Sequence, residues 1–211
     1  MLIRASNLHL IMTEPKLKSE VLSVGAKTHI EALARRKVYG YDEPELRSKY
    51  LDKGILCEPM AIELYNSVNF KSLVKREGRI TKGCLTGECD LIDGDKIVDV
   101  KCSWSLESFP VTKREAEADA KKAGYEWQGR AYMLLYDKMS HTVAYCMINT
   151  PLDLLYDEQG CHNVDHLPDE MKITTVRFER DYAKDNAIID KLVHAKQYYD
   201  SVIKEIKRDH A

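Results

Sequence analysis

The chain has 211 residues, 44% hydrophobic and 31% charged, with a formal net charge of −2, which suits one ordinary globular domain with a sizeable core. No apolar run approaches membrane-spanning length, and the opening Met1-Leu-Ile-Arg-Ala-Ser lacks the apolar core of a secretory signal, so a reducing cytoplasm is the expected setting. The six cysteines include no C-x-x-C pair, which argues against zinc and iron–sulfur sites.

In chain order, residues 17–38 predict a helix, with Val21, Val24, Ile30, Leu33 and Ala34 apolar. A loop around Tyr39–Pro44 leads to a second helix from about Pro44 to Val68, with Gly54 and Pro59 as points of break or restart. Strands are predicted at about 72–77, 84–92 and 96–102. Residues 113–138 read as helix interrupted near Gly124, His141–Asn149 and Ile173–Phe178 as strands, 152–171 as a long acidic connection, and Asp181–Arg208 as a final amphipathic helix. This order predicts a single α/β (α+β) domain over 1–211: an N-terminal helical part to about 69, a core over about 70–150, and a C-terminal strand and helix over about 172–208.

The stretch Gly87 to Lys101 carries the chemistry. Asp93-Gly94-Asp95 is a strong turn signal between β-prone runs. Asp99 and Lys101, two apart on one strand, share a face, while Val98 and Val100 point the other way. Asp90 approaches from the partner strand. Two carboxylates suit a hard cation such as Mg²⁺ or Mn²⁺, and the lysine can orient a water or stabilise charge on phosphate. In isolation the same residues form an exposed hairpin with a salt bridge. The net charge offers no support for nucleic-acid binding, but Arg35-Arg36-Lys37, Lys71–Lys82, Lys113-Arg114 and Lys121-Lys122 are local basic clusters. Each alone is better read as a solvated helix face.

Four features in order resemble the PD-(D/E)xK nuclease superfamily, and within it the lambda-exonuclease (YqaJ-type) viral recombinase family. Lys53-Gly54-Ile-Leu-Cys-Glu58-Pro-Met-Ala61 resembles the helix motif Gly-x-x-x-Glu-x-x-Ala. Asp90 matches the metal-bridging aspartate, Asp99-x-Lys101 the (D/E)xK element, and Tyr125-Glu-Trp-Gln128 with Tyr132 the helix whose glutamine lines the active site. Ile3-Arg4-Ala5-Ser6 resembles a segment that contributes to binding a 5′-phosphate.

The resemblance implies a restriction-endonuclease-like core, a central mixed sheet flanked by helices. It implies a Mg²⁺- (or Mn²⁺-) dependent deoxyribonuclease with two ions per site. Asp90, Asp99 and the Val100 carbonyl would hold one ion, Glu58 and Asp90 the other, with Lys101 and Gln128 completing the catalytic set. A phage or prophage 5′→3′ exonuclease on double-stranded DNA ends is implied, leaving 3′ overhangs for a single-strand annealing protein. So are a homotrimer and, if the chain is phage-encoded, the host cytoplasm.

The chain departs from the family in two ways. The second acidic position is aspartate where glutamate is common. The family's arginine upstream of the serine finds no room before Ser6, which puts forward Arg4, Arg35 or Arg36 in its place. Other roles stay open for several residues: Glu58 could cap a helix restarting at Pro59, Gln128 could be an exposed helix residue, and Trp104 could stack on a base or pack inside. Tyr125, Tyr132 and Tyr136, at helical spacing, are expected in the core. Endonuclease, single-strand exonuclease and inactive end-binding module are the competing functions.

Overall fold

In the computed structural model residues 1–42, 48–155 and 160–210 are described. The elements are β1 (Ile3–Arg4), α1 (Leu8–Ile11), α2 (Val24–Tyr39), α3 (Lys49–Asn69), β2 (Ile80–Lys82), β3 (Leu85–Gly87), β4 (Leu91–Asp93), β5 (Lys96–Cys102), α4 (Lys113–Lys122), α5 (Tyr125–Tyr136), β6 (Ser140–Cys146), β7 (Ile173–Glu179) and α6 (Tyr182–Asp209). The four-stranded sheet runs β4-β5-β6-β7, with β5 and β6 parallel and both outer pairs antiparallel; the three-stranded sheet runs β1-β3-β2. This is the mixed α/β architecture expected of a restriction-endonuclease-like nuclease.

The central sheet separates two apolar layers because its strands alternate. Val98, Val100, Ala144 and Cys146 pack with Leu91 beneath Ala61, Leu64 and Tyr65 of α3. Val143, Tyr145 and Phe178 on the other face pack with Phe109 and with Ala116 and Ala120 of α4. A third layer joins the chain's beginning to its end: Ile3, Leu8, Ile11 and Ile30 pack with Leu85, Tyr132, Leu135, Ile188 and Leu192. Lys191 strengthens that closure, its ammonium donating to the carbonyls of Met12 and Thr13 at 3.3 and 2.9 Å.

Several boundaries differ from the sequence expectation. The first long helix starts at Val24, where the Ser23 hydroxyl accepts from the Ala26 N–H. The second starts at Lys49 with Ser48 as its cap, and the expected start at Pro44 lies outside the described residues. It passes through Pro59 unbroken. The carbonyl that proline deprives of a partner belongs to exposed Ile55, where water can replace it. Residues 72–77 form no strand. Their backbone groups are engaged elsewhere: the Asn66 side chain pairs with both the N–H and the carbonyl of Leu73, and the Arg76 N–H donates to the Asp90 carbonyl at 2.7 Å. The predicted strand over 84–92 splits into β3 and β4 around Glu88-Cys89-Asp90, and β1 and β2 were not foreseen.

Two glycines set how α5 lies against its neighbours. Gly124, at φ +80°, caps the helix, and a Cβ there would come within 2.5 Å of the His9 ring. A Cβ on Gly129 would lie 1.9 Å from His141 Nδ1, so the helix rests directly on β6.

Candidate active site

The hairpin between β4 and β5 turns on Gly94 at φ +59°, and its register pairs Leu91 with Val98. One step further along, Asp90 faces Asp99. The Val100 N–H donates to Asp90 Oδ2 at 2.7 Å. The strand break before Asp90 is anchored from α5, where the Tyr136 hydroxyl donates to the Gly87 carbonyl at 3.4 Å and accepts from the Cys89 N–H at 3.3 Å. The Arg76 N–H takes the Asp90 carbonyl. Asp90 is therefore fixed by its neighbours on both sides of the chain.

Asp99 is 1% exposed. Gln128 Nε2, from α5, lies 3.4 Å from Asp99 Oδ1 and donates to the Tyr132 hydroxyl at 2.9 Å. Lys101 Nζ sits 2.6 Å from Asp99 Oδ2, a contact ion pair, yet no well-directed hydrogen bond reaches that oxygen. The Lys101 ammonium also lies 4.7 Å from the centre of the Tyr125 ring. Glu58, on α3, pairs with Lys75.

Burial governs the titration of this group. It pushes the Asp90 carboxyl up to about 7, helped by the Asp99 charge and opposed by Lys101 and the Val100 N–H. Burial favours neutral Lys101, but the carboxylates of Asp99 and Asp90 outweigh it and hold the ammonium well above the usual lysine range. Lys101 is thus a cation: it donates hydrogen bonds and contributes positive charge.

The residues fit a hard divalent cation. Their donors are carboxylate oxygens and a strand carbonyl, the buried Asp99 Oδ2 atom meets only the Lys101 ammonium, without a well-directed hydrogen bond, and Asp90 resists ionising even though Lys101 offsets part of the cost. Among the described residues no ready-made set of three or more His, Cys, Asp or Glu ligands is gathered. Lys101 lies against Asp99 and Lys75 against Glu58, so two of the carboxylates are occupied by lysines.

The structure treats the remaining sequence candidates unequally. Glu58 lies within a continuous helix and caps nothing. Gln128 is buried rather than exposed. Tyr132 is in the core as expected; Tyr125 packs half-buried against the layer of Val143 and Tyr145 and also lies beside the Lys101 ammonium. Trp104 is half-buried in an aromatic cluster, edge-on to Tyr50 and His162 at 5.0 and 5.2 Å, with the Lys49 ammonium 4.9 Å above its ring. Arg4 and Arg36 line one cleft of about 540 Å³ with His29 and Lys37. Arg35 lines a different cleft, alongside Glu31 and Glu205. Ser6 is exposed in a short 3-10 turn; its carbonyl pairs with His9 Nδ1 at 2.9 Å, and the His9 ring abuts Gly124 at the start of α5.

Sequence reasoning missed three residues. In the sequence Lys75 is only one member of a basic cluster. Lys53 precedes the helix motif and carries no role in it, yet it is fully buried and donates to the carbonyls of Ser103, Trp104 and Ile148 and to the Thr150 hydroxyl, at 2.6 to 3.0 Å. Burial pushes its ammonium down to about 8, so it remains charged at neutral pH. His141 is fully buried and neither ring nitrogen has a partner; burial holds it neutral, down to about 4. The six cysteines are all free thiols.

No protein-family model and no curated protein matches the chain. A solved structure of a phage-related exonuclease from Haemophilus somnus 129PT matches with a TM-score of 0.90 at 34% identity, over 98% of this chain and 96% of that one. An alkaline exonuclease from Laribacter hongkongensis has the same fold, with a TM-score of 0.68 at 18% identity over 99% of this chain and 93% of its own. Its complex with dAMP gives a TM-score of 0.67 at 19% identity. With that fold and a 34% identical relative matched along nearly its whole length, the chain belongs to the phage-related exonucleases of the lambda-exonuclease (YqaJ) type, and is a nuclease of the PD-(D/E)xK superfamily.

Proposed function

We propose that the protein is a Mg²⁺- or Mn²⁺-dependent exonuclease that degrades one strand of double-stranded DNA ends 5′→3′, within a phage or prophage recombination system. The observation that carries this reading is the placement of buried Asp99 and Gln128 with half-buried Asp90 and Lys101 in one group, in a chain related to a phage exonuclease. Asp90, Asp99 and the Val100 carbonyl would hold one ion, and Glu58 with Asp90 a second. When bound, the ions supply positive charge to the attacking and leaving oxygens of the displacement at phosphorus.

The chain's own residues do the rest. Lys101, held cationic, donates a hydrogen bond that orients the attacking water and offsets charge developing on the phosphate. Gln128 holds the carboxylate plane of Asp99, with its amide itself oriented by the Tyr132 hydroxyl. Arg4 and Arg36 share a cleft with His29, Lys37 and Asp42, whereas Arg35 shares one with Glu31 and Glu205, so the first, with more cationic groups than acidic ones, is the better place for a 5′-phosphate. Ser6 contributes from the turn beside α5. Trp104, clustered with Tyr50 and Lys49, offers an aromatic and cationic surface for single-stranded product. Mononucleotides and a 3′ overhang are the products, the overhang passing to a single-strand annealing protein, and a homotrimer around DNA would provide processivity.

Digestion of linear duplex DNA, with and without a 5′-phosphate, in Mg²⁺ or in EDTA and beside a closed circle, tests the proposal. Loss of the linear substrate alone, faster with the 5′-phosphate and absent in EDTA, is the expected result. Cleavage of the circle would make the protein an endonuclease, and no cleavage under any metal would leave it an end-binding protein.

A further inference from the structure

Lys75 lies in a segment without regular secondary structure, half of its side chain open to solvent, paired with Glu58. A pair so placed is ordinarily worth little. This one differs because its backbone is clamped from both sides. Leu73, two residues before, has its N–H and carbonyl held by the Asn66 side chain of α3 at 3.0 and 2.9 Å. Arg76, immediately after, donates its N–H to the carbonyl of Asp90 at 2.7 Å, and Gly78 donates to Glu88 Oε1 at 3.0 Å. The lysine is thereby set between the helix that bears Glu58 and the strand break that bears Asp90.

We propose that Lys75 is a built-in competitor for the cation site on the Glu58 side. This rests on the metal-dependent reading above and deepens it. Without metal, Glu58, Asp90 and Asp99 repel one another; Lys101 offsets the charge on the Asp99 side and Lys75 does so on the Glu58 side. A divalent ion can recruit Glu58 only by displacing the Lys75 ammonium. Lys75 therefore lowers the affinity of the Glu58-dependent ion and leaves the ion held by Asp90 and Asp99 less affected. Lys75 is a positioning residue, acting through Glu58.

The test uses DNA-free protein and Mn²⁺, with binding read by calorimetry and by the electron paramagnetic resonance signal of free Mn²⁺, so that no readout depends on activity. K75A should bind the weaker Mn²⁺ roughly two- to five-fold more tightly than the parent, the factor expected for removing a half-exposed charge pair, or gain a second ion if the parent holds only one. In an E58Q background the same K75A change should have no effect, because there is no carboxylate left to compete for. An unchanged or weakened Mn²⁺ isotherm for K75A, or an equal strengthening in the E58Q background, overturns the proposal. Mn²⁺ binding that is absent in the parent, or unaffected by D99N, would instead sink the metal-dependent reading, and this inference with it.

Discussion

Asp90 accepts a 2.7 Å hydrogen bond from the backbone N–H of Val100, the residue between Asp99 and Lys101. One bond thus locks the strand break before β4 to the strand that carries the other two charged groups. It also leaves the second oxygen of Asp90 for other work. The positions of Asp90 and of Asp99-x-Lys101 are therefore coupled through the main chain, and a substitution at Val100 that keeps the N–H would preserve them.

Lys101→Ala removes the ammonium and its ion pair with Asp99 but leaves every proposed metal-ligand oxygen in place. Single-turnover cleavage should fall by at least about 100-fold, the scale of losing one group that stabilises transition-state charge. Mn²⁺ and DNA binding should be retained. Cleavage at near the parental rate would remove Lys101 from the mechanism.

Asp90→Asn separates stability from activity. The Asp90 carboxyl is held at about 7, against an ordinary value of 3.8. Between those values the unfolded chain has lost this proton while the folded chain keeps it, so metal-free stability falls as pH rises from about 4 to 7, and the loss is complete above 7. Asparagine retains an acceptor for the Val100 N–H without the charge. In EDTA at pH 8 the variant should be more stable to urea by about 1–2 kcal/mol, shrinking toward zero at pH 4, while losing metal-dependent activity. Equal urea midpoints for parent and variant at pH 8 would contradict the shift.

His141 shapes the acid limb of the stability curve. Its folded value of about 4 lies below the ordinary 6.5, so the unfolded chain takes up a proton before the folded one does. Its contribution is complete above pH 6.5 and is lost as pH falls toward 4. His141→Leu removes the titration and two unpartnered nitrogens, and should flatten urea stability between pH 6.5 and 4 relative to the parent. Parallel pH profiles for the two proteins would show that the fold does not lower the proton affinity of the imidazole.

Lys53→Met leaves four acceptors, two buried and two part-buried, without their common donor. Leaving uncharged acceptors of this kind without a donor costs on the order of 1–3 kcal/mol. Because those acceptors follow β5 and β6, hydrogen-exchange protection should drop first around Ser103–Trp104 and Ile148–Thr150. A loss below about 1 kcal/mol in urea would mean that water replaces the ammonium there.

The hairpin, the shared face of Asp99 and Lys101, the division of α4 from α5 at Gly124 and the last helix were all legible in the sequence. Each is a local property, set by two-fold or 3.6-fold periodicity or by a turn residue. The strand expected at 72–77 failed because β propensity says nothing of where backbone groups find partners; these went to Asn66 and Asp90. Pro59 was legible as a break and is not one, because exposure of the carbonyl it deprives depends on how α3 packs.

By itself, then, the sequence determined which residues carry charge on which face of each element, and that Glu58, Asp90, Asp99, Lys101 and Gln128 follow the order of a nuclease family. Only the tertiary structure decided which of these meet, and what opposes them. Glu58 against Lys75, Gln128 against Asp99, Gly129 beneath His141, and Lys53 bonded to a carbonyl 95 residues away are contacts between segments remote in the chain. The physical reason is that periodicity governs where a side chain points relative to its own backbone. Its partner across the core is set by the register and packing of whole elements, and burial then sets its charge, as it does for Asp90, Lys101 and His141.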